Sequence, residues 1–497
     1  MINILEIISI NICLIFLIYY YTVAFVKNYY DPYRLYLIIK DNIKNNIILY
    51  VVKGLILLSS IITLFFVDNN LIALLYLSNA LISLIIVKKG IIKITRRFIF
   101  QFGVSILFLA LIDFLIISLK NMPMYLLIAP ELITIIFIYL SLLINYPLEE
   151  LIRTYYIKKA KNRINGAKKL KIIGITGSYG KTTFKNFLAE LLNDKCVIFS
   201  PGNINTLMGL TKFINTSLTP FDEYLIVEIG VDKLNGMKKF KCLFKLDYAV
   251  ITSVGPQHLL TLKNIDNIYK VKTDIAYLLK KDGTIFYNSD TVKYSNKFDK
   301  YKSVSYSSKD YKIINSTIDS TTINFDEICV KTKLKFESSV LNAFGAYKVA
   351  KQIGINNRHL ITKLENLEEI SRRKNITKCK NQILVDDSYN VNFYSAKESI
   401  NYILKLDGKK CCITAGLVEL GKERKKYLKE FGKILAKLDM VIFVNNEFSS
   451  YIKEGYLCAG GCVDNVIKFK KYEEALSYSK KYDVVLLLSI GEKYNLI

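Results

Sequence analysis

Gly174-Ile-Thr-Gly-Ser-Tyr-Gly-Lys-Thr-Thr183 decides how this chain is read. An apolar run, Leu170 to Ile175, precedes it, and a helix-like segment, Phe184–Leu192, follows. A glycine-rich turn between a strand and a helix lets backbone N–H groups point at phosphate oxygens. In that setting Lys181 reaches the β/γ-phosphates and the Thr182 hydroxyl holds Mg²⁺. Gly177, Ser178, Gly180 and Thr183 complete the expected nucleotide cradle. The spacing departs from the strict phosphate-binding loop. Five residues before Gly180 stands Ile175, and the glycines sit at 174, 177 and 180.

Composition bounds the remainder. The chain has 497 residues, a net charge of +26 and 52% hydrophobic residues, enough for two or three domains. Basic and hydrophobic character together favour a membrane protein over a nucleic-acid binder, and no zinc-finger or RNA-binding motif is present. Nine cysteines form no C-x-x-C pair. They read as reduced thiols without a metal.

Five apolar runs fill the first third: Ile7–Val26, Ile47–Val67, Leu71–Val87, Phe98–Leu119 and Met124–Tyr146. Most reach the roughly 20 residues that cross about 30 Å of hydrocarbon. Basic residues crowd 27–46, 88–97 and 153–171, and the alternate loops are short. The positive-inside rule then predicts an outside N-terminus and a cytoplasmic chain after 147. The expectation is a five-span helical bundle in the inner, cytoplasmic membrane, with the lipid bilayer as a partner. Asp113 and Glu131 fall inside the fourth and fifth runs, where intramembrane acids suggest a polar cavity.

From Lys171 onward short β-rich runs alternate with helical patterns, the signature of parallel sheets with crossover helices. Strands are expected at Ile172–Thr176, Tyr224–Ile229, Tyr248–Ser253 and Thr284–Asn288. Helices are expected at Lys270–Lys280 and Leu341–Ile353. A second series, with strands at Ile383–Val385, Cys412–Ala415, Val441–Val444 and Val484–Leu488, runs to about Ile490. The predicted order is a membrane domain (1–147), a basic juxtamembrane linker (148–170), a central P-loop α/β domain (171–370) and a Rossmann-like C-terminal domain (371–497).

The motifs that follow the loop resemble those of the Mur ligases, and within them the D-alanyl-D-alanine-adding type. The loop matches that family's Gly-x-x-Gly-Lys-Thr form. Gly202-Asn-Ile-Asn-Thr206 looks like its Gly-Asn-x-Asn segment and Val227-Glu-Ile-Gly230 like its Glu-x-Gly motif. Ile251–Leu259 is similar to the segment bearing the magnesium histidine, here His258. Lys272 with Asp274 resembles the position where the family carbamylates a lysine. Asn288 and Asn342 match nucleotide-contacting asparagines. Asp386-Asp-Ser-Tyr-Asn-Val-Asn392 and Gly416–Gly421 look like the C-terminal-domain motifs.

The resemblance implies an ATP-dependent ligase of cell-wall peptidoglycan precursor synthesis. It activates a carboxylate as an acyl phosphate for attack by an amine, with D-alanyl-D-alanine expected. The acceptor is a muropeptide or a lipid-linked precursor, the amine donor a dipeptide or amino acid. The resemblance implies Lys181, Glu228, His258 and Lys272 as catalytic, and Thr182, Glu228, His258 and carbamylated Lys272 around Mg²⁺. It makes Asp387 a ribose contact and assigns Asn203, Asn205, Tyr389, Asn390 and Asn392 to substrate. ATP and Mg²⁺ are the implied cofactors. Departures are the absent UDP-binding domain, Ser338 where the family has histidine, Gly236-Met-Lys238 in place of Gly-Glu-Ile, and Leu488-Ser-Ile490 in place of Lys-Gly-Ser. Two other readings remain: a membrane-anchored ligase for another polymer, such as poly-γ-glutamate, and a non-catalytic ATP-binding scaffold. A transporter ATPase lacks its Walker-B run here.

Overall fold

A computed structural model describes residues 96–118 and 130–490, with isolated positions (12, 15, 18, 19, 22 and 23) before them. Within 130–490 the described chain omits 258, 318–319, 327, 371–372, 380–381, 390, 418–419, 421–422 and 445–448. The chain divides into two compact units, Met1–Thr154 and Tyr155–Ile497.

In the first unit, helix α1 spans Arg96–Ser118, and helix α2 spans Pro130–Gly166, leaving this unit after Thr154. The two helices are joined by polar contacts. Gln101 Nε2 donates to the Ile138 carbonyl at 3.1 Å and to the Ser141 hydroxyl, and Asn145 Nδ2 donates to Gln101 Oε1 at 2.9 Å.

The five-span bundle is overturned: among the described residues, no helix is long and apolar enough to cross a membrane. The described parts of the fourth and fifth apolar runs lie on α1 and α2. Gln101, Ser105, Ser141 and Asn145 punctuate them, and α2 runs on past Pro147 into Glu149, Glu150 and Arg153. The second and third runs, and nearly all of the first, lie outside the described residues, as do the charged loops at 27–46 and 88–95. The multi-pass inner-membrane placement and the lipid-bilayer partner rested on those spans and fall with them. Asp113 and Glu131 lie on α1 and α2, and their side chains are outside the described residues.

The second unit holds two six-stranded sheets. The first is built from β1 (Lys171–Thr176), β2 (Val197–Phe199), β3 (Tyr224–Glu228), β4 (Leu246–Ile251), β5 (Leu279–Asn288) and β6 (Lys302–Tyr306). Its order is β2-β3-β1-β4-β5-β6, parallel throughout, with β1 between β3 and β4. Strands buried on both faces read as continuous apolar runs, and β3 is buried at all five positions. Alternate residues feed opposite cores. Ile172, Leu225 and Val227 pack on one side with Ile157 and Ala160 of α2. Ile173, Ile175 and Ile226 pack on the other with Phe184 and Phe344.

Helices α3 (Lys181–Leu191), α4 (Leu207–Ser217) and α5 (Ile265–Thr273) belong to this layer system. The helix expected at Lys270–Lys280 ends at Thr273, and β5 begins at Leu279, which pairs with Leu246. A small antiparallel sheet follows, with β7 (Tyr311–Ser316), β8 (Thr321–Phe325) and β9 (Ile328–Thr332). Helices α6 (Glu337–Ile353) and α7 (Asn357–Asn366) pack back onto the first sheet's core.

The second sheet comprises β10 (Asn375–Cys379), β11 (Gln382–Asp387), β12 (Lys410–Thr414), β13 (Met440–Val444), β14 (Val466–Phe469) and β15 (Val484–Leu488). Its order is β10-β11-β15-β12-β13-β14, and only the edge strand β10 is antiparallel. Helices α8 (Phe393–Leu404) and α9 (Arg424–Leu435) cover one face.

Candidate functional site

Ligands of open α/β sheets bind outside the carboxyl ends of the strands. The sequence-predicted residues gather there in the first sheet. The glycine-rich loop leaves β1 and turns into α3. Gly180, at the start of α3, has φ +79°, and a Cβ there would meet Asn342 Oδ1 at 2.7 Å. Only glycine fits both the backbone conformation and the approach of Asn342 on α6. At Gly177 a Cβ would lie 2.1 Å from Thr252 Oγ1.

The loop is braced by the segment after β4. The Ser178 and Tyr179 N–H groups donate to the Ser253 carbonyl at 2.9 and 3.1 Å. Ser178 Oγ donates to Gly255 O and Tyr179 Oη to Pro256 O. The N–H groups of the first turn of α3, Lys181 to Thr183, have no partner one turn back, as at any helix start, so they face the cradle. Lys181 Nζ folds over the loop, 2.9 Å from Gly177 O and 3.2 Å from Ser178 O. Burial holds its pKa below the ordinary lysine value, and Glu228 opposes that shift.

Thr182 Oγ1 donates to Glu228 Oε2 at 2.7 Å, and Glu228, at the end of β3, is 2% exposed. Asn205 Nδ2 reaches Glu228 Oε1 at 3.3 Å. Lys272, read alone as a solvated helix lysine, is instead 1% exposed and donates to the Val231 carbonyl at 3.1 Å. Burial lowers its pKa to about 7, and Lys181 pushes in the same direction. Asn288 Nδ2 donates to Ser253 Oγ at 3.0 Å, which ties β5 to the brace behind the loop. His258 lies outside the described residues.

On the second sheet, Asp387 ends β11 and is buried. Ser395 and Ser399 hydroxyls donate to its Oδ2 at 3.1 and 2.8 Å, and burial raises its pKa. Both hydrogen bonds to its carboxylate come from α8. Asn392 caps the same helix by accepting from the Tyr394 and Ser395 N–H groups. Tyr389 meets the first sheet, because Asn203 Nδ2 donates to its hydroxyl at 2.5 Å. Asn390 lies outside the described residues, as do Val418, Glu419 and Gly421 of the glycine motif.

Two residues beside the site carry no sequence signal. The Arg373 guanidinium stacks over the Tyr389 ring at 4.5 Å and acts electrostatically on Lys181. It sits just past the domain boundary expected at 370. Lys185, one helical turn after Lys181, is fully buried, although lysines on an amphipathic helix normally face water.

The donor set fits a hard, oxygen-seeking cation. Thr182 and Glu228 offer a hydroxyl and a buried carboxylate side by side, the ligand chemistry Mg²⁺ prefers. Among the described residues, no group of three or more His, Cys, Asp or Glu side chains forms a metal cluster. Such a cation would find this pair among its ligands.

Residues 175–350 match the family described as the Mur ligase middle domain. The chain is 26% identical over 299 residues to the UDP-N-acetylmuramoyl-tripeptide–D-alanyl-D-alanine ligase of Bacillus subtilis, covering 58% of this chain and 65% of that protein. It is 24% identical to the Escherichia coli protein of the same name, with 56% and 65% covered. It thus spans just under two thirds of these relatives' length. Two solved structures share the fold. MurF from Acinetobacter baumannii has a TM-score of 0.60 at 21% identity, covering 68% of this chain and 77% of that one. MurF from Thermotoga maritima in complex with ADP has a TM-score of 0.59 at 24% identity, covering 68% and 80%.

Proposed function

We propose that this chain is an ATP-dependent, ADP-forming amide ligase of the Mur type, acting in peptidoglycan precursor synthesis. It joins the terminal carboxylate of a muramoyl-tripeptide acceptor to the amine of D-alanyl-D-alanine, the pair named for its curated relatives. The observation that carries this reading is the Thr182–Glu228 hydrogen bond of 2.7 Å beneath the first turn of α3. It seats a buried carboxylate where charge on a transferring phosphoryl group must be handled.

Each residue has a role in that chemistry. The N–H groups at the start of α3 and the Lys181 ammonium stabilise phosphoryl oxygens. Lys181 exchanges its loop carbonyls for phosphate when nucleotide enters. Thr182 and Glu228, with His258 as the resemblance implies, would hold Mg²⁺, which when bound neutralises phosphate charge. Asn342 and Asn288 border the nucleotide. Asn203 and Tyr389 flank the acceptor between the two sheets, and Asp387 sets the start of α8 behind them. Lys272, its pKa lowered to about 7 by burial, is in part the neutral amine that reacts with CO₂, so a carbamate there would add a negative oxygen beside Glu228.

The acceptor carboxylate attacks the terminal phosphoryl group and leaves as an acyl phosphate with release of ADP. The amine then adds to the acyl carbon, loses a proton, and phosphate departs with the amide formed. The test is phosphate release and amide product, followed by mass spectrometry, with the tripeptide acceptor and D-alanyl-D-alanine together and singly. Release that requires both substrates is expected. A folded protein that binds ADP but forms no amide with any amine sinks the reading and favours a scaffold.

A further inference from the structure

Lys185 is a buried cation that the proposed chemistry leaves unused. It lies on α3, is 0% exposed, and donates from Nζ to the Ser200 and Gly202 carbonyls, both at 2.6 Å. Glu228 Oε2 stands 3.9 Å away and supplies opposite charge. A buried ammonium is retained at a cost in desolvation unless it is paired and hydrogen-bonded. Here nearly all of that compensation comes from one loop, 200–206, and from the carboxylate beside it.

That loop makes the site's cross-connections. Gly202 sits at φ +52°. Asn203 donates to Tyr389 of the second sheet. Asn205 donates to Glu228 and accepts from the Gly230 N–H at 2.9 Å. Thr206 caps α4, accepting from the Gly209 N–H. The residues contacting the nucleotide-side carboxylate and the second sheet are thus two positions apart on a backbone to which the Lys185 ammonium donates twice.

We propose that Lys185 is a positioning residue that fixes the 200–206 loop, and through Asn203 sets where the acceptor carboxylate is presented to the nucleotide. This role rests on the ligase reading above. Lys185 itself touches neither substrate: its partners are two backbone carbonyls and Glu228.

The test is Lys185→Met, which keeps the aliphatic stem and removes the ammonium. Two charge-assisted hydrogen bonds are lost. The expected result is a fall of about 10–100-fold in kcat/KM for the acceptor, carried mainly by KM, with ADP affinity changed by less than about 3-fold. Amides of 200–206 should exchange faster in the substrate-free variant. Combined with Asn203→Ala, the losses should be non-additive, since both changes break one connection.

Gly202→Ala is the second variant. Its Cβ would meet open space, so the core is untouched, while the positive φ strains the loop. It should show the same pattern at smaller size, and it keeps the test decisive if Lys185→Met fails to fold. Additive losses, parallel loss of ADP affinity and acceptor use, or unchanged exchange at 200–206 would overturn the proposal. Absence of any amide product from wild type would instead overturn the ligase reading, while the exchange and ADP measurements still judge Lys185.

Discussion

Lys272→Met should change the pH dependence of stability in a way that only a buried, neutralised lysine explains. Lys272 is 1% exposed, and burial brings its pKa from 10.5 down to about 7. The unfolded chain therefore keeps the proton up to about pH 10.5, and the folded chain only up to about pH 7. Between those values the unfolded state binds one more proton, so stability rises with pH across the window. Below pH 7 both states are charged and the full burial penalty applies. The shift of 3.5 units, 10.5 minus 7, corresponds to roughly 5 kcal/mol as an upper bound at about 1.36 kcal/mol per unit. Methionine fills the same channel without the charge and gives up only the hydrogen bond to Val231 O, about 1 kcal/mol. The variant should be the more stable protein at pH 6. Its advantage should shrink by roughly 3 kcal/mol by pH 9, which covers two units of the window. Urea denaturation at pH 6, 7, 8 and 9 in CO₂-free buffer measures this directly. An advantage that is constant with pH, or that grows as pH rises, would refute the reasoning.

Three further outcomes follow from the site. Gly180→Ala should destabilise the fold by about 2 kcal/mol and weaken ADP binding at least tenfold, because the new methyl meets both a positive φ and Asn342; urea melts and ADP titration measure the two effects. Glu228→Gln preserves shape and an acceptor for Thr182 but removes the charge, so substrate-dependent phosphate release should fall about 100–1,000-fold. ADP binding without Mg²⁺ should be unchanged in that variant. Ser399→Ala withdraws one of the hydroxyls on buried Asp387 and should cost about 1–2 kcal/mol in urea melts, with α8 loosened in hydrogen exchange.

The α/β half was legible because its strands are apolar on both faces and its turns carry glycine. β15 was placed to the residue at Val484–Leu488, and β1 and β3 to within one. The short edge strands β2 and β14 and the antiparallel β7–β9 sheet escaped notice, since brief or half-exposed strands leave little pattern. Loop residues such as Gly177, Gly180 and Thr182 announce themselves by backbone demands. Lys185 and Arg373 do not, because what buries a lysine or stacks an arginine is a partner distant in sequence: Ser200, Gly202 and Tyr389. The apolar first third misled for a related reason. Hydropathy counts residues, but Gln101, Ser141 and Asn145 pair across α1 and α2, and that pairing is invisible to a window average.

Ser338 bears most directly on the choice between an enzyme and a scaffold. In sequence it stands where the resembled ligases carry histidine, which weakens the case for catalysis. In the structure the position is occupied by a polar set. The Ser338 N–H, in the first turn of α6, donates to Glu398 Oε1 at 2.8 Å, so a carboxylate on α8 caps a helix of the other sheet's layer. Lys374, 7% exposed, donates to Ser338 Oγ at 2.8 Å and also pairs with Glu398. Nearby, Glu369 accepts from the Lys335 and Phe336 N–H groups and from Ser339 Oγ. Buried polar groups are costly unless they satisfy one another. Here the serine, the lysine and the carboxylate satisfy one another across the junction of the two sheets. Ser338 is therefore part of a satisfied polar set, and the case for ligation rests on Lys181, Thr182, Glu228 and Lys272.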